Sequence, residues 1–175
     1  LSDPSADLSG KTADVVAALA GTITKITGKV TISDKAYDVD KLKAINAATD
    51  GAIVLSDPSA DLSGKTADLV DALAGNITKT TGTVTITDNA YDAGKLKSIN
   101  DATNGAIKLN VPNVALSGSA TDVAAALSGT LTTPHSGSIN ITSNSQTTDQ
   151  LKTINNNSTG TITLKKYDVT LTGKA

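Results

Sequence analysis

Residues 1–54 and 55–108 align without a gap and differ at 13 of 54 positions. No other feature of the chain restricts its fold so strongly. A short unit copied in tandem must satisfy the same contacts in every copy. It therefore either folds as a duplicated small domain or stacks on its neighbours around a shared core. A third, more diverged copy starts at Leu109. Asp14, Asp68 and Asp122 fall in step, as do Gly21, Gly75 and Gly129. One residue is inserted near Pro134-His135, after which Leu42 and Leu96 correspond to Leu151. A fourth copy opens at Leu164, where Leu171 matches Leu8, Leu62 and Leu116, and Gly173 matches Gly10. The organisation read from this is 1–54, 55–108 and 109–163 as repeats, with 164–175 the first strand of a truncated fourth. The chain starts without Met and stops where another helix is due, so the expectation is a piece of a longer array.

Each repeat divides in two. TADVVAALAG (Thr12–Gly21) carries Val15 and Leu19 at i, i+4, with Val16, Ala18 and Ala20 beside them. DVDKLKAINAATDG (Asp38–Gly51) carries Val39, Leu42 and Ile45 on one stripe, with Lys41 and Lys43 turned away. Both patterns predict short helices. Thr12 or Asp14 is expected to cap the first and Asp38 the second, and Gly21 and Gly51 suit a left-handed position after the last turn. Between the helices, TITKITGKVTIS (Thr22–Ser33) alternates apolar and hydroxyl residues about Gly28, and AIVLSDPSADLSG (Ala52–Gly64) gives two extended runs around Asp57-Pro58. The half-periods, Val16 to Leu42 and Leu42 to Val70, are 26 and 28 residues.

One helix of two to three turns with two short strands cannot hold itself together. Stacking can. The reading is a right-handed α/β solenoid of about six coils of 26–28 residues, with short parallel strands pairing along the axis and one row of helices. Strands stack ~4.8 Å apart and helices ~8–10 Å apart, so such a coil curves with its helices outside. Ala17, Ala18, Ala20, Ala47 and Ala48 are expected to reduce the mismatch and fill a thin interior. A duplicated supersecondary unit in a closed α+β domain is the alternative.

Composition supports the narrow coil and excludes whole classes of function. The 175 residues include no Cys, Met, Phe or Trp; every base is Lys, every acid is Asp, and net charge is −2. Without Cys there is no disulfide framework and no thiolate ligand or nucleophile. Near-neutral charge without Arg or a stacking aromatic surface argues against nucleic acid. No apolar run approaches the ~18 residues of a membrane span, and no signal peptide is visible.

The remaining candidates are polar. Asp34, Asp38 and Asp40 cluster in SDKAYDVD, Asp88 and Asp92 in TDNAYDAG, and Asp57 and Asp61 in SDPSAD. Hard oxygen ligands at alternating positions suit Ca²⁺, so Asp34, Asp38, Asp40, Asp88 and Asp92 are calcium candidates. Against this, Asp40 becomes Gly94, and the third copy has Ser143, Asn144 and Gln146. Capping and turn formation account for Asp equally well. Thr22-Ile23-Thr24 recurs as Asn76-Ile77-Thr78 and Thr130-Leu131-Thr132, and Thr31 and Ser33 recur as Thr85 and Thr87. Outward hydroxyl pairs of this kind resemble the ice-binding face of β-solenoid antifreeze proteins, but Asn76 and Asn140 interrupt them and Lys25 and Lys79 stand close by. His135 is the single His and lies beside Pro134, where a solvated loop residue is expected. No triad or phosphate loop assembles around it, so no enzyme is expected. Tyr37 and Tyr91 precede the second helix, as staples or covers of the core's end. Asn76, Asn140, Asn156 and Asn157 head N-glycosylation sequons.

Val30–Leu55 and Leu62–Thr78 are similar to tandem repeats of very large secreted bacterial proteins, cyanobacterial cell-surface proteins above all. The similarity rests on L-K-x-I-N and the Thr…Gly that follows, present as Leu42–Gly51, Leu96–Gly105 and Leu151–Gly160. It implies an extracellular or cell-surface segment acting in coats, adhesion or motility, with no catalytic residue and no required cofactor. The expected partners are neighbouring repeats and surface or matrix components, with end-to-end dimers where an array is cut. A calcium-, glycan- or ice-binding module is the alternative.

Overall fold

Among the described residues the apolar stripes become six short helices separated by strands of two or three residues. The computed structural model describes residues 3–21, 24–166, 168 and 171. In chain order these are β1 (Leu8–Gly10), α1 (Thr12–Leu19), β2 (Val30–Ile32), α2 (Val39–Ala48) and β3 (Ile53–Leu55). Then follow β4 (Leu62–Gly64), α3 (Thr66–Ala72), β5 (Val84–Ile86), β6 (Tyr91–Asp92), α4 (Ala93–Ala102) and β7 (Ile107–Leu109). The last are β8 (Leu116–Gly118), α5 (Ala120–Leu127), β9 (Ile139–Ile141), α6 (Thr148–Asn156) and β10 (Ile162–Leu164). The fold is α/β, and each helix packs on the next in chain order.

Every named strand pair is parallel, and pairing joins residues 22 to 25 positions apart, as in Leu8 with Val30 and Tyr91 with Leu116. The strands do not form one continuous ladder. They form three sheets, in the orders β1-β2-β3, β4-β5-β7 and β6-β8-β9-β10. The cause is the step length. Two steps along a ladder cover 45 residues, Leu8 to Ile53, against the 54-residue period of the sequence. Each ladder therefore slides out of the strand-forming segments, ends on a single bridge such as Ile53 with Ile77, and a new ladder takes over.

Alternation places Val30, Ile32, Val84, Ile86, Ile139 and Ile141 in the core. Val15, Leu19, Leu42, Ile45 and Ile53, expected to stack, are all buried. Ile23, expected with them, lies outside the described residues, as do Thr22 and Gly173. The alanines behave differently from the expectation. Ala17, Ala18, Ala20 and Ala47 are exposed. Yet the residues 54 and 108 positions after Ala18 are Ala72 and Ala126, which are 0% and 1% exposed. At this position small residues fill the helix contact where a preceding helix exists to meet them, and α1 has none among the described residues; in α2, Ala48 is half-buried against the core while Ala47 stays exposed.

Both kinds of glycine were expected to serve helix ends, and only one does. Gly21 and Gly75 adopt φ of +93° and +71°, the left-handed geometry that suits glycine. Gly51 does not. A side chain there would overlap the Gly28 carbonyl oxygen, and Gly105 and Gly160 meet Gly82 and Gly137 in the same way. These glycines let one turn of chain lie directly on the next.

Candidate functional site

The repeated polar residues prove to be ties between segments about 22 to 25 positions apart. The helix starts illustrate this first. Neither Thr12 nor Asp14 caps α1, whose N-cap position is Lys11 with no side-chain bond. Instead Asp34, from the segment after β2, accepts from the Thr12 amide and hydroxyl, and both bonds are very short. Asp88 does the same for Thr66, with the amide at 2.5 Å. In the third copy Ser143 accepts from the Ala120 amide at 3.1 Å, and Ser119 caps α5 directly. The Thr12 hydroxyl and amide hold the Asp34 carboxyl below the ordinary carboxylate range. Burial pushes Asp88 up, but the two Thr66 donors outweigh it and leave it lowered as well.

Two of the other calcium candidates are also engaged. Asp38 accepts from the Lys41 amide at 3.2 Å and Asp92 from the Lys95 amide at 2.9 Å, as helix caps. Asp40 sits in the first turn of α2. It joins Tyr37, Asp38, Asp61, Lys65 and Asp68 around an open groove of about 580 Å³. Its charged lining does not recur in the next copy, where Gly94, Ala115 and Ser119 stand in place of Asp40, Asp61 and Lys65. Asp61 is itself occupied, accepting from the Thr83 amide at 2.7 Å, as Asp7 does from Lys29 at 2.8 Å. Among the described residues no group of three or more His, Cys, Asp or Glu is arranged to hold a metal.

The phrase L-K-x-I-N acquires a physical meaning. Leu42 and Ile45 enter the core. Lys43, expected to point away, reaches Asp68 at 2.8 Å and Asp71 at 3.0 Å on α3, which raise its pKa. Asn46 donates to the Asp71 carbonyl at 2.6 Å, and Asn100 to the Ala125 carbonyl at 2.9 Å. Each Asn thus adds a donor to a carbonyl in the last turn of the next helix, and that of Ala125 also accepts from the Ser128 hydroxyl at 2.8 Å. The Thr that follows is buried. Thr49 donates to the Ile26 carbonyl at 2.8 Å and accepts from the Gly51 amide at 3.0 Å. Thr103 repeats both bonds with Thr80 and Gly105.

His135 departs most from expectation. It is buried, not solvated, and stands where Ile26 and Thr80 stand in the earlier copies, opposite Ser158 as they are opposite Thr49 and Thr103. Its Nε2 lies 3.0 Å from the Val114 carbonyl, while Nδ1 is buried with no hydrogen-bond partner. Burial lowers its pKa, with the Val114 carbonyl opposing. Tyr37 and Tyr91 cover the core, and their hydroxyl oxygens accept from the Asp57 and Val111 amides, each at 2.8 Å. Burial raises both phenols. Gln146 takes that place in the third copy, with Oε1 unpartnered.

The outward strand positions are chemically mixed. Thr31 lies between Ser9 and Val54, Thr85 between Ser63 and Lys108, and Asn140 between Ser117 and Thr163. Of the sequon residues, Asn76, Asn140 and Asn156 are exposed, while Asn157 donates to the Thr153 carbonyl at 2.8 Å. No helix of the described residues is long and apolar enough to cross a membrane. Comparison with protein-family models, curated proteins and solved structures found no match.

The ties just described were missed because their partners lie 20 or more residues away in sequence. Recurrence was the available signal: Asn46 and Asn100, Thr49 and Thr103, and the glycine pairs all hold place in the first two copies.

Proposed function

We propose that this chain is a structural and interaction segment, an array whose purpose is length and surface, with no catalytic role. In this reading the units stack as a right-handed α/β solenoid of about six coils. It serves as spacer, stalk or adhesive surface of a large extracellular bacterial protein. The observation that carries the reading is where the recurring polar groups are spent. Asp34, Asp88, Asn46, Asn100, Thr49 and Thr103 each bond to backbone or hydroxyl groups of a neighbouring turn. Polar residues used in this way set pitch and register. They do not converge on a substrate.

A nearest-neighbour array grows by a fixed increment per unit. Small-angle scattering on this chain, and on variants with one and two further copies of residues 55–108 inserted after Lys108, tests that. The maximum dimension should rise by equal steps while the cross-section stays constant. A cross-section that grows with each insertion would support the closed α+β alternative. Calcium makes a separate claim. This reading expects the same melting temperature in millimolar Ca²⁺ and in chelator; a clear rise with Ca²⁺ would make ligand binding the better account.

A further inference from the structure

One end of the molecule carries an apolar groove whose counterparts inside the molecule are filled. Leu151, Ile162 and Leu164 are half-buried, and Leu171 is 47% exposed beside them, around a cavity of about 480 Å³. Leu42, Ile53 and Leu55 stand at the first three positions in the first copy, and Leu96, Ile107 and Leu109 in the second, and all six are buried. The internal contacts say what fills such a groove. Helix α3 packs on α2 and helix α5 on α4. Ala72 of α3 and Ala126 of α5 are buried, and Asn46 and Asn100 bind the carbonyls of Asp71 and Ala125. The opposite end of the chain presents the matching surface. Ala18 of α1 is exposed, and Ala17 stands where Asp71 and Ala125 do. Asn155, exposed at the groove, stands where Asn46 and Asn100 do.

We infer that the two ends are complementary and that copies of this chain join head to tail, α1 of one copy seating on α6 of another. The joint reproduces the α2–α3 and α4–α5 contacts, with Asn155 donating to the Ala17 carbonyl of the incoming copy. Leu171 holds the repeat position of Leu8 of that copy, so Leu171 yields its place at the groove when the incoming copy seats. The surfaces are different patches on one molecule. The association is therefore heterologous and does not close at two copies. The inference rests on the array reading above.

Sedimentation equilibrium of the full chain from micromolar to millimolar concentration tests it. The weight-average mass should rise continuously past twice the monomer mass. Ala18→Arg blocks the head and Leu151→Asp the tail, and each should leave a monomer throughout the range. Asn155→Glu is a second tail variant at an exposed position, for the case in which Leu151→Asp perturbs folding. Mixing the head variant with a tail variant should restore a one-to-one complex that stops at twice the monomer mass, because one intact head then meets one intact tail. A parent chain monomeric at every concentration, variants that associate as the parent does, or a silent mixture would overturn the inference. If these fail while the insertion series still lengthens in equal steps, the array reading stands and only the joint is lost.

Discussion

At the scale of single residues, the molecule depends on close backbone approach and on buried hydroxyls that bond to a neighbouring turn. The two kinds of glycine predict different costs. Gly105→Ala puts a methyl group onto the Gly82 carbonyl, which is backbone and cannot swing aside. It should cost about 1–3 kcal/mol or more, as overpacking does. Gly21→Ala meets no atom within 4 Å and pays only for its φ of +93°, about 1–2 kcal/mol. Chemical denaturation of the two variants should rank them in that order. His135 gives a pH signature. Its folded pKa lies below the ordinary value of 6.5, so between the two values the unfolded chain binds more protons. Stability is therefore complete above pH ~6.5 and falls as pH drops towards the folded pKa. His135→Thr, which restores the residue at Thr80, should flatten the melting temperature between pH ~7 and ~5. A parent curve already flat there would contradict a buried neutral imidazole. This burial was not legible in sequence because the inserted residue suggested a loop, whereas the insertion lies before His135 and leaves it in the interior row.

At the scale of elements, the starts of α1, α3 and α5 are tied by another part of the chain. Thr66 is buried, and its amide and hydroxyl both go to Asp88. Asp88→Ala strands both donors and should cost about 1–3 kcal/mol. Asp88→Asn keeps an acceptor and should cost less. The Asp88 carboxyl is lowered in the fold, so its contribution is full above the unfolded value near 3.8 and is lost as pH falls through the folded one. The Asn variant should lack that acid-side loss, which a urea titration at two pH values would reveal. Lys43 bridges α2 to Asp68 and Asp71 of α3. Its counterpart Lys97 meets Asp101 on its own helix at 2.7 Å, where the first copy has Ala47, and Ala125 replaces Asp71 across the contact. The α2–α3 contact should therefore weaken with salt more than the α4–α5 contact. Helix positions were legible because a 3.6-residue stripe is local. The Asp38 cap of α2 was legible for the same reason, but the tie at the start of α1 was not, because Asp34 and Thr12 are joined only after the chain has made a turn.

At the scale of the whole molecule, the 54-residue identity announced a stack of like units, and the parallel pairing of residues 22 to 25 apart agrees with units laid one on another. The expected coil lengths of 26 and 28 were too long for the ladders, since sequence similarity counts residues per unit and pairing counts residues per turn of contact. That difference is why three short sheets replace a single ladder. The candidate site was legible only as a set of recurring residues. Asp34, Asp88, Asn46 and Thr49 hold a neighbouring turn, while Asp38 and Asp92 cap their own helices. The central claim is that the helices form an open row, α1 and α6 at its ends. The chain has no Cys, so Ala13→Cys and Asn155→Cys, both at exposed positions, can carry a pair of spin labels without further change. Five helix steps of ~8–10 Å, shortened by curvature towards the strand side, place the labels roughly 35–45 Å apart. A double electron–electron resonance distance in that range is the expected result. A distance below about 25 Å, with α1 folded back against α6, would contradict the open row.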